Sequence, residues 1–315
     1  MNKKPLIILT GPTAVGKTEL SIGLAKAING EIISADSMQV YKGMDIGTAK
    51  IMPEQMQGVK HWLIDEFSPK EDFNVNIFKK KCDMYMDDIY SRGKIPILVG
   101  GTGFYIQAVL YDIDFEETQN DNSYRIKLQH FADVHGAEAL HEELRKIDPK
   151  SAETIHPNNL KRVIRAIEYY EQTGEQISKH NEREKKKESP YLFRYYVLSL
   201  PREILYNRIN KRVDLMRDMG LEDEVKKLMA RGCTKDMVSM QGLGYKEVIE
   251  ALEGNITLDD AFERIKKETR HFAKRQFTWF RREKDVTWLE KDKFKEDELL
   301  DYIVGDIKKM LNDDN

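Results

Sequence analysis

Residues 6–18 read Leu6-Ile7-Ile8-Leu9-Thr10-Gly11-Pro12-Thr13-Ala14-Val15-Gly16-Lys17-Thr18. Leu6–Leu9 is short, uncharged and branched, the pattern of a buried strand. Gly11 to Thr18 then matches G-x-x-x-x-G-K-[ST] without a mismatch, and a helical pattern runs on from about Lys17 to Ile28. Strand, glycine loop and helix together are the context this octapeptide needs. Loop N–H groups and the helix N-terminus surround a di- or triphosphate, Lys17 adds a point charge, and the Thr18 hydroxyl can hold Mg²⁺. A chance glycine turn would not bring all three parts together. The loop specifies a bound polyphosphate; it does not specify a nucleotide.

Outward from this loop, short apolar runs alternate with helical patterns. Glu31–Ser34 reads as a second strand ending at Asp36-Ser37, and His61–Ile64 as a further short one. Asn76–Ser91 is helical, and Ile95–Val99 is a strong strand running into Gly100-Gly101-Thr102-Gly103. Such alternation is the signature of a parallel α/β sheet. In an open parallel sheet, residues just past the carboxyl ends of strands line the ligand crevice. Asp36 is thereby expected beside the loop, as a Mg²⁺ ligand, a general base or a turn cap; position alone leaves the three open. Thr102 falls at the same edge, among glycines that let a backbone approach a ligand closely, although a plain strand-to-helix turn would look the same.

From about Tyr111 to Phe193 the strand signal is lost. Helices are expected at about 123–133, 136–146 and 158–173, followed by a charge run, Asn181–Ser189, that reads as a solvated linker. Phe193–Leu200 restores a strand, a helix follows Pro201, Asp285–Leu289 is a last strand, and a closing helix starts near Lys295. The expected architecture is a P-loop NTPase-like α/β core with a parallel sheet (1–115 and 194–315). It is interrupted by a small all-helical insertion domain (116–193).

With 40% hydrophobic and 33% charged residues among 315, the chain can build a packed core and is not disordered. No apolar run spans a bilayer, and the N-terminal stretch is too short for a secretory signal. Cys82 and Cys233, far apart and without metal-ligand spacing, are expected as reduced thiols of a cytoplasmic protein. The histidines show no metal pattern. Net charge is −3, which argues against a general nucleic-acid binder. Segment 261–284 nevertheless carries +6, leaving −9 elsewhere, so one local basic face is compatible with one particular RNA surface. Phe272, Phe277, Trp279 and Phe280 are interleaved there with Arg270, Lys274, Arg275, Arg281 and Arg282; aromatics to the core and cations outward is the expected division. That outward face serves RNA phosphates or solubility alone, and Lys161, Arg162 and Arg165 form a second cluster of the same ambiguity. Of Arg208, Arg212 and Arg217, spaced by four and five, at most two can face the phosphates.

Taken in order, these segments resemble one family. GPTAVGKT, DSMQVYKGMDIGTAK (36–50), HWLID (61–65), GGTGFYIQAVL (100–110) and HPNNLKRVIRAIE (156–168) occur in the sequence seen in tRNA dimethylallyltransferases. PREILYNRINKRVDLMRDMGLEDEV (201–225), GLGYKE (242–247) and AKRQFTWFRR (273–282) continue the match over nearly the whole chain. The tract 36–50 is its most specific element, because generic P-loop kinases do not carry it. Trp62 and Lys161 stand where the family more often has other residues.

The resemblance implies transfer of a dimethylallyl group from its diphosphate to N6 of adenosine 37, beside the tRNA anticodon, with release of diphosphate. It implies Mg²⁺ as cofactor and the loop from Gly11 through Thr18 as the diphosphate site, with Thr18 on the metal. Asp36 would be the base, and Thr102 and Arg212 would hold the diphosphate or its bridging oxygen. Implied tRNA contacts are Asp36, Ser37, Met38, Gln39, Thr102 and Arg125, the run Lys161, Arg162, Val163, Ile164 and Arg165, and Gly244, Tyr245 and Lys246. The helical insertion would clasp the anticodon stem-loop, and the enzyme would act as a cytoplasmic monomer. Competing readings are an adenylate isopentenyltransferase, which has no need of an anticodon clasp, and a P-loop kinase of small molecules, which would bind ATP. A non-catalytic RNA-binding protein would not need Lys17, Thr18 and Asp36 together.

Overall fold

The computed structural model describes residues 3–115 and 122–313. The expected start of the insertion at 116 lies outside the described residues, as do Met1 and Asn2.

Six strands form one all-parallel sheet: β1 (Lys4–Thr10), β2 (Gly30–Ala35), β3 (His61–Trp62), β4 (Ile95–Gly100), β5 (Tyr191–Ser199) and β6 (Val286–Glu290). Their order across the sheet is β3-β2-β4-β1-β5-β6. β1 is central, with Ile7 opposite Ile97 on one side and Arg194 on the other. Its Leu6–Leu9 segment is buried on both faces, as expected of a parallel sheet covered by helices. The α/β expectation is met. β3 is shorter than expected because Leu63 takes a left-handed φ of 61° and cannot continue a ladder.

Thirteen helices are described: α1 (Lys17–Ala27), α2 (Val75–Ser91), α3 (Gly103–Leu110), α4 (Asn122–His135), α5 (Ala137–Ile147), α6 (Pro149–Thr154), α7 (Leu160–Thr173), α8 (Ile177–Glu184), α9 (Arg202–Asp218), α10 (Leu221–Ala230), α11 (Tyr245–Leu252), α12 (Leu258–Phe280) and α13 (Glu296–Asp313). Local chemistry sets several of their ends. Asn74 caps α2 by accepting from the Asn76 and Ile77 amides. Asp148 caps α6, with Pro149 in the first position, where its missing N–H costs nothing.

The chain divides into two compact units, one of them Tyr111–Ser189 and the other the residues before and after it. The larger unit holds the sheet and a core that includes Ile7, Leu9, Leu24, Ile97, Tyr196, Leu198, Ile209 and Ile303. Among its described residues the smaller holds helices only (α4–α8), packed around Leu140, Leu144, Val163, Ile164 and Ile167.

One expectation is corrected inside the helical unit. Asn181–Ser189 is not a solvated linker: its first four residues complete α8, and Glu184 is buried. That carboxylate accepts from the Asp114 amide and pairs with Lys187 at 2.8 Å, while Arg183 pairs with Glu175. A run rich in both signs of charge neutralises itself within one helix turn and across neighbouring segments, which composition alone does not reveal.

Candidate active site

β1 delivers the chain to Gly11, whose positive φ and lack of a side chain are both needed here. A Cβ on Gly11 would stand 2.5 Å from the Leu198 carbonyl oxygen on β5. Gly16, at φ 93°, is the N-cap of α1, so the loop turns directly into the helix N-terminus. In the described state the Lys17 ammonium donates to the Gly11 and Pro12 carbonyl oxygens at 3.0 and 2.9 Å. Arg212, from α9, donates to the Thr13 hydroxyl at 3.1 Å. Thr18 is exposed on the first turn of α1.

Asp36 follows the last residue of β2. Its Oδ1 accepts from the Met38 and Gln39 amides at 2.9 and 3.3 Å, which turns the chain sharply after the strand. The adjacent strand end is equally tight. A Cβ on Gly100 would meet the Ala35 carbonyl oxygen at 2.1 Å, and the Thr102 amide donates to that same oxygen at 3.1 Å. Asp36 and Thr102 are therefore brought to one edge of the sheet, just past the ends of the neighbouring strands β2 and β4.

Electrostatics ties these residues to the loop. Lys17 is pushed down to about 8, first by burial and then by the Arg212 charge, while Asp36 pulls it back up. Arg212 is lowered by burial and again supported by Asp36. One carboxylate thus acts on both cations. Because burial disfavours its charge, protonated Lys17 costs folding stability below about pH 8, and that cost fades as pH rises toward the ordinary lysine value. For anion binding the sign is opposite, since an anion selects the charged form. Affinity for inorganic diphosphate is expected to fall as pH rises from 7 through 9. In calorimetry Lys17→Met is expected to keep only the titration of diphosphate itself, and an identical slope in both proteins would remove Lys17 from the binding step.

The residues implied in RNA contact divide into two groups. Lys161 and Arg162 are exposed on α7, with Arg165 half-buried, and Lys246 is half-buried on α11. Arg125 is exposed but held by the buried Glu168 carboxylate through two hydrogen bonds of 3.0 and 2.8 Å. Val163 and Ile164 instead belong to the core of the helical unit, and Tyr245 is fully buried. The side chains of these last three do not reach the surface, which leaves only their backbones for a contact. Arg217 turns away from the loop to pair with Asp259 and stack on Phe262.

Comparison with known proteins places this arrangement. Residues 39–283 match the family model described as IPP transferase, and residues 4–72 match one described as isopentenyl transferase. The chain belongs to the IPP transferase family. The tRNA dimethylallyltransferase of Lachnoclostridium phytofermentans is 60% identical over 294 residues, 93% of this chain and 94% of that protein. The crystal structure of tRNA delta(2)-isopentenylpyrophosphate transferase from Staphylococcus epidermidis is 46% identical. It covers 98% of this chain and 99% of its own, with a TM-score of 0.72. A eukaryotic dimethylallyltransferase acting on tRNA is 32% identical over 91% of this chain and 74% of its own, with a TM-score of 0.77.

Two residues of this IPP transferase chain support the site without having been singled out by sequence. Gln276, buried on α12, accepts from the Thr13 amide and donates to the Gly101 carbonyl, both at 2.9 Å. It joins the phosphate loop to the turn that carries Thr102. Its only sequence signal is an amide in the apolar stripe of α12, between Ala273 and Phe280. Glu224, buried on α10, accepts from the Asp45, Ile46 and Gly47 amides and from the Tyr245 hydroxyl. It anchors the far end of the 36–50 tract to the Gly242–Lys246 loop. Lys50 closes the same tract, donating to Tyr41 O, Asp45 and Asp65. Gln276→Leu would strand two backbone groups, at roughly 1–3 kcal/mol each. Denaturant unfolding is expected to show that loss and Gln276→Glu to recover part of it; a loss under about 0.5 kcal/mol would mean that water replaces the bridge.

Proposed function

We propose that this protein transfers the dimethylallyl group of dimethylallyl diphosphate to the exocyclic N6 of adenosine 37 in the tRNA anticodon loop and releases diphosphate. The observation that carries the reading is the convergence of Asp36, Lys17 and Arg212 at a phosphate loop, in a chain of the IPP transferase family.

The adenine amine is a weak nucleophile because its lone pair is delocalised into the ring. In the proposed step the N6–C1 bond forms, the C1–O bond breaks, its electron pair leaves on diphosphate, and the N6 proton passes to the Asp36 carboxylate. Lys17, Arg212 and the loop amides stabilise the charge growing on the leaving group. Thr102 stands at the same edge to hold the bridging oxygen. The adenine must leave the loop stack to reach these groups, at a cost of a few kcal/mol.

A Mg²⁺ ion fits the residues present in one mode. Among the described residues no cluster of three or more His, Cys, Asp or Glu side chains could cage a metal. The exposed Thr18 hydroxyl together with diphosphate oxygens and water is the kind of sparse ligand set Mg²⁺ accepts. Bound there, the ion would offset leaving-group charge. Lys161, Arg162, Arg165 and Lys246 are the proposed phosphate contacts to tRNA. A monomeric state and a cytoplasmic location belong to the same proposal; no helix among the described residues is long and apolar enough to cross a membrane.

The test is incubation with radiolabelled dimethylallyl diphosphate and total tRNA, with and without Mg²⁺. Label is expected in tRNA, at adenosine 37 after nuclease digestion, and strongly reduced by chelation. Label entering free AMP instead would make the protein an adenylate isopentenyltransferase, and ADP formation from ATP with unlabelled RNA would make it a kinase.

A further inference from the structure

Helix α9 passes the phosphate loop with two neighbouring rows of side chains, each row spaced by four residues. Leu205, Ile209 and Val213 form the buried row. Arg208, Arg212 and Met216 form the row beside it, since residues four apart stack along one ridge of a helix. That second row is in step with the loop. A Cβ placed on Gly16 would lie 3.6 Å from an Arg208 guanidinium nitrogen, and Arg212 donates to the Thr13 hydroxyl at 3.1 Å. The helix therefore runs alongside the loop in the opposite sense, from its Gly16 end to its Thr13 end. Met216 comes next, about 6 Å further along the axis and past the loop. Helical side chains lean toward the N-terminus, so Met216 leans over the turn that carries Arg212.

The chemistry of α9 changes at this point. Asp214 and Arg217 are drawn away to Lys266 at 2.7 Å and to Asp259 at 2.6 Å. Beside Met216 stand Leu215, 58% exposed, and Met219, 66% exposed. Leu205 and Ile209 join the main core of the sheet unit, whereas Met216 does not. An apolar group lying against this turn would remove all three side chains from water. The turn also follows the reacting end of the loop. Asp36 supports the charge of Arg212. For a bond to N6 to form beside Asp36, the allylic carbon must lie at that same end.

We propose that Met216, flanked by Leu215 and Met219, receives the dimethylallyl group of the donor and sets its chain length. This rests on the reading of the protein as a dimethylallyltransferase and adds a specificity to it. Arg212 meets the charged part of the donor and Met216, one helix turn on, meets the apolar part. That spacing is comparable with an extended five-carbon chain, and Met216 fills the space a ten-carbon chain would need. Its thioether is flexible and polarisable, and so follows the branched end of the chain. Apolar cover there also keeps water from the allylic carbon as positive charge grows on it.

The experiment compares dimethylallyl and geranyl diphosphates as donors to total tRNA, with calorimetry of inorganic diphosphate as a measure of the loop alone. Met216→Ala is expected to raise KM for dimethylallyl diphosphate about tenfold. Its affinity for inorganic diphosphate should stay within about twofold of wild type. The ratio of kcat/KM for geranyl over dimethylallyl diphosphate should rise by about tenfold or more. Met216→Leu should recover most of the discrimination, because volume and apolarity return together. An unchanged donor ratio in Met216→Ala would overturn the assignment. So would equal losses of dimethylallyl diphosphate and inorganic diphosphate binding, which would make Met216 a packing residue of α9. If the wild-type protein moves no label from dimethylallyl diphosphate to tRNA, it is the proposed activity that falls.

Discussion

Replacing Lys17 or Thr18 by alanine is expected to leave almost no prenyl transfer while tRNA affinity stays nearly intact. Lys17 is held inside the loop by the Gly11 and Pro12 carbonyls, which fixes its ammonium at the loop where the proposed diphosphate would bind. Removing a preorganised donor from a site of developing charge costs about 10²–10³-fold in rate. Removing Lys17 also weakens donor binding, so the two losses multiply at low substrate. Thr18→Ala acts through the metal and diphosphate rather than through the loop, and leaves the Lys17 contacts in place. Single-turnover transfer at subsaturating donor, paired with filter binding of tRNA, separates these effects. Near-normal turnover by either variant would show that the loop does not hold the donor.

The second large effect is expected at Asp36. Its Oδ1 is occupied by the Met38 and Gln39 amides, and among the described residues no hydrogen bond engages Oδ2. The carboxylate is thus oriented by one oxygen and leaves the other for a substrate proton. Asp36→Asn can keep the turn, because the amide oxygen still accepts from both backbone groups, but it cannot take up a proton. Single-turnover rate is expected to fall by about 10²–10⁴ with little change in affinity for either substrate. If Asp36 were chiefly a metal ligand, high Mg²⁺ would recover most of the rate. The variant is therefore followed across a Mg²⁺ titration, and recovery to near wild-type rate decides for the metal.

Much of this was legible in the sequence because its determinants are local. The strand into Gly11, the glycines at 11 and 16 and the Lys17-Thr18 pair fix a loop within one stretch of chain. The edge placement of Asp36 and Thr102 follows from parallel strands ending side by side. What was not legible is what reaches the site from far along the chain. Gln276 lies 263 residues from Thr13, and Glu224 lies 179 from Asp45. No local propensity records such a pairing; each is a polar side chain in a buried helical stripe whose partner is set by packing. The charge run 181–189 failed for a related reason. Its composition is that of a solvated segment, yet buried Glu184 finds Lys187 three residues on and the Asp114 amide 70 residues back. Burial of Val163, Ile164 and Tyr245 shows the converse, where a motif names a segment and periodicity decides which of its side chains face solvent.

The strand order has a consequence for how the chain comes into being on the ribosome. β1 lies between β4 and β5, but β5 is made only after the whole of Tyr111–Ser189. At about 5–20 residues per second, the central strand waits on the order of ten seconds with one side bare. A bare strand edge is a template for pairing with another nascent chain. The described part of the segment synthesised during that interval is built of helices, the kind of local structure that closes in microseconds to milliseconds. Each of the long-range ties to the phosphate loop, from Arg212, Gln276 and Lys291, comes later still. The loop at residues 11–18 is thus completed by side chains that lie 199 to 275 residues further along the chain.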